Sequence, residues 1–363
     1  MELKKELLTY REIKNGYELV NDPDEIGSYT LLPGVVKTFM ENPSLDDLSK
    51  CMIMFCRVDG KVAARSLFFP SRVKVGNSII TAQGGSSLYA NPEYRHSAIG
   101  LDIMRYPIEN KEYPLLVYAG ITKMAIPMYK ALRFNVFSFP EFWQPRRSEF
   151  AFRSKGLKGL PLAIVSACAD SLIFLINAYK RVVIRRKYCE YKVNRLKEIP
   201  IWAEDIVKKD SHKYAEIHDK AWMTWTLNNN FFGKENEEQG FYEILKNGKP
   251  IGFFMTKIRN LSLPEHNIKS VIFGNVYEWG TLDENILTEY DIYRMASLTF
   301  PKYVDIYDVA TADARIAKKL KNLFMFRHGD AYIVVKDLTK QYPDSKDITN
   351  WRIRYGYADV PFY

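Results

Sequence analysis

The stretch ANPEYRHSAIGLDIM, residues 90–104, places small and basic residues where a predicted strand runs into a predicted helix. Backbone N–H groups in the first turn of a helix have no intrahelical acceptor and lie at the positive end of the helix dipole, so they attract a pyrophosphate. Ala98 and Gly100 are small enough for a phosphate to approach the backbone, and Arg95 adds positive charge. The pattern predicts a site for a phosphate-bearing cofactor, and an ordinary loop entering a helix is the alternative.

This stretch resembles the cofactor loop of the GNAT superfamily of N-acetyltransferases, which reads Gln/Arg-x-x-Gly-x-Gly/Ala and often follows Pro-x-Tyr. The matching residues are Pro92, Tyr94, Arg95 and Gly100, with Ala98 in place of the middle glycine. A later signature of the family, Asn-x-x-Ala-x-x-Leu-Tyr followed by Gly-Phe, is similar to TKMAIPMYKALRF, residues 122–134. There the matching residues are Ala125, Tyr129 and Phe134, whereas Thr122 and Arg133 depart from the signature. The resemblance covers residues 52–139 and follows the family's order of elements.

The resemblance implies acyl-CoA chemistry, with acetyl-CoA or another acyl-CoA as the cofactor. It implies that the main chain of Leu88, Tyr89 and Ala90 pairs with the pantetheine arm and that one N–H polarises the thioester carbonyl. It assigns the pyrophosphate to the loop backbone, namely to Arg95, His96, Ser97, Ala98, Ile99 and Gly100. Tyr129 would protonate the departing thiolate, since a phenol with an ordinary pKa near ~10 can donate a proton at neutral pH. A core tyrosine on an amphipathic helix is the alternative interpretation of Tyr129.

Neither a general base nor a metal site is marked by a motif. An amine nucleophile must lose a proton, and Glu141, in FPEFWQP after a predicted strand, is a candidate carboxylate for that step. The five histidines are scattered and the four cysteines show no CxxC spacing, so the sequence predicts no metal.

The chain repeats one order of elements, which predicts its fold class. The segments at 52–69 and 240–258 each contain a hairpin signal, Asp59-Gly60 and Asn247-Gly248. After each come a β-rich run, a helix, a strand, a second helix and a final strand. We therefore predict an α+β (mixed α/β) fold of two tandem GNAT-like domains joined by a long helix. The expected boundaries are 1–155 for the acyl-CoA-binding domain, 156–195 for the helix, 196–340 for a second domain and 341–363 for a tail.

The second domain is expected to have lost its cofactor. Its corresponding span, residues 280–296, lacks Arg-x-x-Gly-x-Gly and carries four carboxylates that would repel a pyrophosphate. Its role would be that of a scaffold and of a wall of the acceptor site. Trp222, Trp225 and Asn228 could offer that wall stacking faces and an amide, and a tryptophan-rich core helix is the alternative.

The predicted connecting helix, GLPLAIVSACADSLIFLINAYKRVVIRRKY, is apolar enough to raise the question of a membrane. Asp170 in its middle and basic residues at both ends argue against a transmembrane segment. Ser166, Asp170, Asn177, Arg181 and Arg185 share one helical stripe. We expect a helix with most of its faces buried between domains. Peripheral contact with a membrane surface through residues 160–188 is the alternative.

Composition limits the remaining function classes. The 363 residues are 47% hydrophobic with a net charge of +9, which suits a folded protein with an anionic ligand. Nucleic acid is not favoured, because no dense basic run is interleaved with aromatics. The start of the chain lacks the apolar region of a signal peptide. The four cysteines show no CxxC spacing, so a reduced, cytoplasmic protein is expected.

Together these features predict an N-acyltransferase that uses acetyl-CoA or a similar acyl-CoA. Its acceptor would be a small amine, an amino sugar being suggested by analogy of fold only. Two alternatives stay open. One is an aminoacyl-tRNA-dependent acyltransferase of the peptidoglycan-bridge type, and the other is a non-catalytic GNAT-fold binding protein.

Overall fold

A computed structural model describes residues 3–15, 32–94, 97–231, 238–263, 268–321 and 325–362. The chain divides into two compact units. Unit 1 consists of Met1–Ser138, Asp210–Gly233 and Tyr332–Tyr363, and unit 2 consists of Phe139–Lys209 and Lys234–Ala331. The predicted sites at Arg95 and His96 lie outside the described residues.

The described residues form strands and helices in a mixed α/β order. The strands are β1 (Leu3–Thr9), β2 (Cys51–Val58), β3 (Lys61–Val75), β4 (Ser78–Ala90), β5 (Leu115–Ala119), β6 (Asn135–Pro145), β7 (Tyr191–Leu196), β8 (Tyr214–Glu216), β9 (Glu238–Lys246), β10 (Lys249–Leu263), β11 (Ile268–Thr281), β12 (Ile306–Ala310) and β13 (Phe326–Asp337). The helices are α1 (Tyr10–Lys14), α2 (Pro33–Met40), α3 (Ile99–Asn110), α4 (Ile126–Ala131), α5 (Glu149–Ser154), α6 (Gly159–Lys187), α7 (Ile201–Lys208), α8 (Lys220–Asn228), α9 (Glu289–Ala296) and α10 (Ala314–Lys321).

Both predicted hairpin turns are confirmed. Val58 pairs with Lys61 across Asp59-Gly60, and both turn residues have positive φ, 49° and 83°. Lys246 pairs with Lys249 across Asn247-Gly248, with φ of 52° and 75°. Asparagine, aspartate and glycine tolerate this left-handed backbone, which matches the twist of the flanking strands.

Unit 1 is built on a sheet in the order β1-β2-β3-β4-β5-β13, and β8 pairs with β3. The helix α3 packs against this sheet, and one core cluster joins residues of β2, β3, α3, β5 and α4. Unit 2 is built on a sheet in the order β6-β12-β11-β10-β9-β7, with its own core around β9, β10, β11 and α9. The mixed α/β fold class is therefore confirmed.

The final strand of each half of the sequence pairs within the unit built mainly from the other half. Residues 141–145 of β6 run antiparallel to β12 in unit 2. Residues 333–337 of β13 run antiparallel to β5 in unit 1. The expected boundaries at 155, 196 and 340 therefore do not delimit the compact units. The physical reason is that the edges of β5 and β12 need backbone partners, and a distant strand satisfies them as well as a local one.

The long helix is present, but the expectation that most of its faces are buried is wrong. Among the described residues, α6 is the helix long and apolar enough to cross a membrane by length and composition, and 11% of its most apolar 18-residue window is buried. Four residues of the predicted stripe face the protein, since Ser166 is buried and Asp170, Asn177 and Arg181 are half-buried, whereas Arg185 is exposed. Most of the large apolar side chains of α6 point outward, and the polar stripe finds hydrogen-bond partners in unit 2.

Candidate active site in the first unit

The start of α3, where the sequence predicts a phosphate site, has exposed residues and small side chains. Its N-cap residue, Ala98, makes no side-chain capping hydrogen bond, and both Ser97 and Ala98 are exposed. A Cβ added at Gly100 would meet only the Sδ of Met128, at 3.9 Å, so nothing in the described chain crowds this turn. Ser97 Oγ accepts a hydrogen bond of 3.3 Å from the N–H of Ile99. The turn therefore has the exposure and the small side chains that a diphosphate requires.

The strand that leads to this turn separates from its neighbour. The parallel register of β4 and β5 consists of one pair, Gln83 with Leu116, although β4 runs on for seven residues to Ala90. On its other side β4 pairs with β3 as far as Ala90, with a bulge opposite Arg65–Leu67. Ser87, within the bulge, has a left-handed φ of 50°. A bulge kinks a strand, so the sequence segment assigned to pantetheine lies where β4 bends.

Tyr129 lies in the core of unit 1, beside the start of α3 and the end of β4. The cluster that contains it also includes Ile99 of α3 and Leu88 and Ala90 of β4. Its ring packs on Phe134 at 5.1 Å and on Tyr118 at 6.1 Å between centroids. Burial, and secondarily the charge of Asp359, raises the pKa of the Tyr129 phenol above its ordinary value. The phenol therefore keeps its proton at neutral pH, as a proton donor must.

A carboxylate from the end of the chain lies at the same place. Asp359 is buried, and its Oδ1 is 4.0 Å from the position that a Cβ on Gly120 would take, directly after β5. Its charge acts on the pKa of Tyr129. Sequence reasoning missed Asp359, because 230 residues separate it from Tyr129 (359 − 129 = 230) and no motif surrounds it.

Asp359 is preceded by a strained residue that a buried network holds in place. Ala358 has a φ of 55°, a left-handed conformation that costs an L-residue roughly 1–2 kcal/mol. Its N–H donates a 2.9 Å hydrogen bond to Oε2 of Glu216. The same carboxylate accepts from Ser71 Oγ at 2.5 Å and bonds His218 Nε2 at 3.0 Å. These contacts fix the backbone that carries Asp359.

The corresponding helix of unit 2 is closed at its start. Thr288 caps α9: its side chain accepts from the N–H of Asp291, and Asp291 in turn accepts from the N–H of Thr288 at 3.3 Å. Lys187 and Tyr188 also donate to Asp291. At α9 the chain itself therefore accepts hydrogen bonds from the N–H groups of Thr288 and Asp291, and the carboxylate of Asp291 lies in the first turn.

The other predicted site residues fall in different surroundings. Glu141 lies on β6 in unit 2, paired with Ala310, whereas Tyr129 lies in unit 1. Trp222 and Trp225 lie on α8, which belongs to unit 1 and not to the second unit as expected. Both indoles are buried, Trp222 stacked on His218 at 3.6 Å and Trp225 donating through Nε1 to the carbonyl of Thr38. Asn228 is exposed at the end of α8. The two tryptophans therefore pack as core residues.

Comparisons with known proteins identify the fold. No family model matches the sequence, and no curated protein sequence matches it. Among solved structures, the chain is similar to an N-myristoyltransferase of Saccharomyces cerevisiae with bound myristoyl-CoA, with a TM-score of 0.56, 13% identity, and coverage of 92% of this chain and 79% of that one. It is also similar to a GCN5-related N-acetyltransferase of Anabaena variabilis, with a TM-score of 0.52, 13% identity, and coverage of 93% and 73%.

A third similar structure is a probable N-acyltransferase of Enterococcus faecalis, with a TM-score of 0.51, 12% identity, and coverage of 94% and 74%. All three likenesses extend over most of this chain, and at such low identity they show the fold. The open first turn of α3 and the separating strands β4 and β5 lie in unit 1 of that fold. This chain therefore has the GNAT fold.

Proposed function

We propose that the protein is an N-acyltransferase that moves an acyl group from an acyl-CoA to the amine of a small acceptor. One observation carries the proposal. The first turn of α3 has small side chains and no side-chain cap, and its Ile99 belongs to the same core cluster as Tyr129. The first turn of α9, in contrast, is capped by Thr288 and Asp291. The fold is that of enzymes that use acyl-CoA, and an N-myristoyltransferase with bound myristoyl-CoA is among the similar structures.

Different residues of unit 1 are proposed to bind the cofactor and to transfer protons. The N–H groups of Ala98 and Gly100 would hold the diphosphate, since those of Ser97 and Ile99 donate to Tyr94 and Ser97. The main chain from Leu88 to Ala90 would bind the pantetheine. The thioester supplies an activated acyl carbon. A C–N bond to the amine forms as the C–S bond breaks. Tyr129 gives its proton to the leaving sulfur, and Asp359 takes the proton that the amine loses.

The acceptor and the acyl chain are proposed by class. The donor is acetyl-CoA or another acyl-CoA, and the acceptor is a small amine such as an amino sugar. Glu141 stays a predicted alternative for the base, and Asn228 stays a predicted contact of the acceptor. Asp359 is preferred as the base because its charge acts on the pKa of Tyr129 within one unit.

Two measurements test the proposal. Free CoA should raise the unfolding temperature, since a ligand at a hundredfold excess over its Kd adds about 2.7 kcal/mol to the free energy of unfolding. Thiol release should then be followed with acyl-CoA donors from acetyl to myristoyl and a panel of amines. The absence of both a thermal shift and thiol release above the uncatalysed rate would contradict the proposal. Consumption of aminoacyl-tRNA without thiol release would identify the bridge-type alternative.

A further inference from the structure

The helix α6 has the reverse of the polarity expected for a helix on a soluble protein. A surface helix normally turns its apolar side to the core and its polar side to water. Here Asp170 Oδ1 accepts a 2.6 Å hydrogen bond from the N–H of Ser148, and Asn177 Oδ1 accepts one of 2.6 Å from Nε2 of Gln144. These polar groups face unit 2, so the other side of α6 faces outward.

The outward face of α6 is mostly apolar, with Ser171 as an exposed polar residue within it. Its large exposed side chains are Leu160, Ile164, Val165, Leu172, Phe174, Leu175, Tyr179 and Val182. The charged residues between positions 160 and 182 are Asp170, Lys180 and Arg181, and each is buried or half-buried. At a rise of 1.5 Å per residue this face is about 35 Å long. Exposed apolar surface of this extent marks a site of interaction.

Exposed cations flank the outward face at both ends. Lys155 and Lys158 precede it, and Arg185, Arg186 and Lys187 follow it. Against a second copy of this chain, either a parallel or an antiparallel arrangement of two α6 helices would bring these like charges together. Against a bilayer they would meet phosphate groups of opposite charge. The charge distribution therefore favours an anionic lipid surface over self-association.

We propose that α6 docks the protein on an anionic lipid bilayer, with the outward face in the membrane interface and the flanking cations on lipid phosphates. The helix lies in the plane of the membrane and does not cross it. Crossing would break the hydrogen bonds of Asp170 and Asn177 to Ser148 and Gln144 and expose a carboxylate to hydrocarbon. Docking in the plane keeps these bonds.

Sedimentation with vesicles tests the proposal directly. The full chain is mixed with vesicles of phosphatidylcholine alone or of an equal mixture of phosphatidylcholine and phosphatidylglycerol. We expect binding to the mixed vesicles to be stronger. Phe174→Glu, at a side chain 68% exposed, should weaken it about tenfold or more. Ile201→Glu is the matched control, because Ile201 is 71% exposed in the same unit but belongs to another helix, α7, and this variant should bind like the unaltered protein.

A probe on the native surface keeps the test independent of whether Phe174→Glu folds. Cys168 is exposed on α6, and Cys189, the other exposed thiol, is replaced by serine, while Cys51 and Cys56 are buried. A nitroxide on Cys168 should collide more with oxygen and less with a water-soluble nickel chelate once mixed vesicles are added. The same label on Cys189, beyond the end of α6, with Cys168→Ser, should enter the lipid less deeply.

Three results would overturn the proposal. The first is a protein that stays in the supernatant with both kinds of vesicle. The second is equal loss of binding in Phe174→Glu and Ile201→Glu. The third is a dimer in solution that Phe174→Glu separates into monomers while no vesicle binds, since the outward face would then be covered by a second copy.

Discussion

The N–H of Ala358, a residue with a φ of 55°, donates a 2.9 Å hydrogen bond to Oε2 of Glu216. The two residues are 142 positions apart, and the bond holds strained backbone directly before Asp359. Strain at such a position persists only where the surroundings fix it, and it is often associated with functional sites. This pair therefore links the stability of the C-terminal segment to the proposed chemistry.

Glu216→Ala should lower the free energy of unfolding by about 3 kcal/mol or more, because three buried donors lose their acceptor at about 1–3 kcal/mol each. Turnover should fall as well, since Asp359 is no longer held. Glu216→Gln keeps an acceptor for the N–H of Ala358 and should retain most of the stability and most of the turnover. Urea unfolding and thiol release measure the two effects. Equal stability of Glu216→Ala and the unaltered protein would show that the network does not fix this segment.

Tyr129→Phe should slow acyl transfer about a hundredfold, the usual contribution of a positioned proton donor, while leaving the Kd for CoA unchanged. Tyr118→Phe is the matched control. Tyr118 lies in the same core cluster, and its hydroxyl has no hydrogen-bond partner within the described chain. Removing that hydroxyl should leave turnover unchanged and stability equal or higher. Similar turnover in the two variants would remove Tyr129 from the mechanism.

Asp359→Asn should reduce turnover, most strongly at low amine concentration, because the amide cannot accept the proton of the amine. CoA binding should change less than turnover does. The substitution should also lower the pKa of Tyr129 slightly, since the charge of Asp359 contributes to the raised value. Glu141→Gln tests the alternative base that the sequence suggested. A large loss of turnover in Glu141→Gln together with normal turnover in Asp359→Asn would reverse our assignment.

Ala98→Asp, at the start of α3, should raise the stability of the protein and weaken its binding of CoA. An aspartate at the N-cap stabilises a helix by about 1 kcal/mol relative to alanine. Its negative charge would face the diphosphate and weaken CoA binding about tenfold. Thermal unfolding without ligand and calorimetric binding of CoA report the two effects.

Thr288→Ala, at the capped start of α9, is the counterpart. It should lose about 1 kcal/mol of stability and leave CoA binding unchanged. Tighter CoA binding by Ala98→Asp, or a loss of binding by Thr288→Ala, would contradict the assignment of the phosphate site to α3.

Lys180 gives a pH dependence of known sign. Burial lowers the pKa of its ammonium group to about 8. The folded protein releases this proton near pH 8, whereas the unfolded chain keeps it to about pH 10.4. The unfolded state therefore binds this proton between these values while the folded state does not, so the contribution of Lys180 to the free energy of unfolding should rise with pH from about 8 to 9.5. The buried thiols of Cys51 and Cys56, whose pKa values burial raises, act in the opposite sense above their ordinary pKa of about 8.5, and the tyrosines with raised pKa values do so near pH 10.

The free energy of unfolding of the unaltered protein, minus that of Lys180→Met, should rise over this pH range, and urea unfolding of both proteins at several pH values measures the difference. The variant should also be at least as stable as the unaltered protein at neutral pH, because it removes a buried charge. A difference between the two proteins that stays constant from pH 8 to 9.5 would assign the titration to another group.

Some of the site follows from local sequence. The open start of α3 was readable because strand, loop and helix follow one another and the small residues Ala98 and Gly100 lie at the turn. Asp59-Gly60 and Asn247-Gly248 specify their hairpins through backbone preference alone. Asp359 could not be found in this way. Only the packing of the C-terminal segment beside Gly120, the residue that follows β5, brings it to Tyr129.

The sequence by itself determined the kind and order of the elements, the mixed α/β fold class and the difference between the starts of α3 and α9. These features depend on periodicity, turn residues and capping side chains within a few positions of one another. The tertiary structure decided which unit receives β6 and β13, that α6 turns its polar stripe inward, and that Glu216 and Asp359 join the site of Tyr129. Those outcomes depend on which distant backbone edges and polar groups still need partners after the local elements have formed, and no local pattern records that.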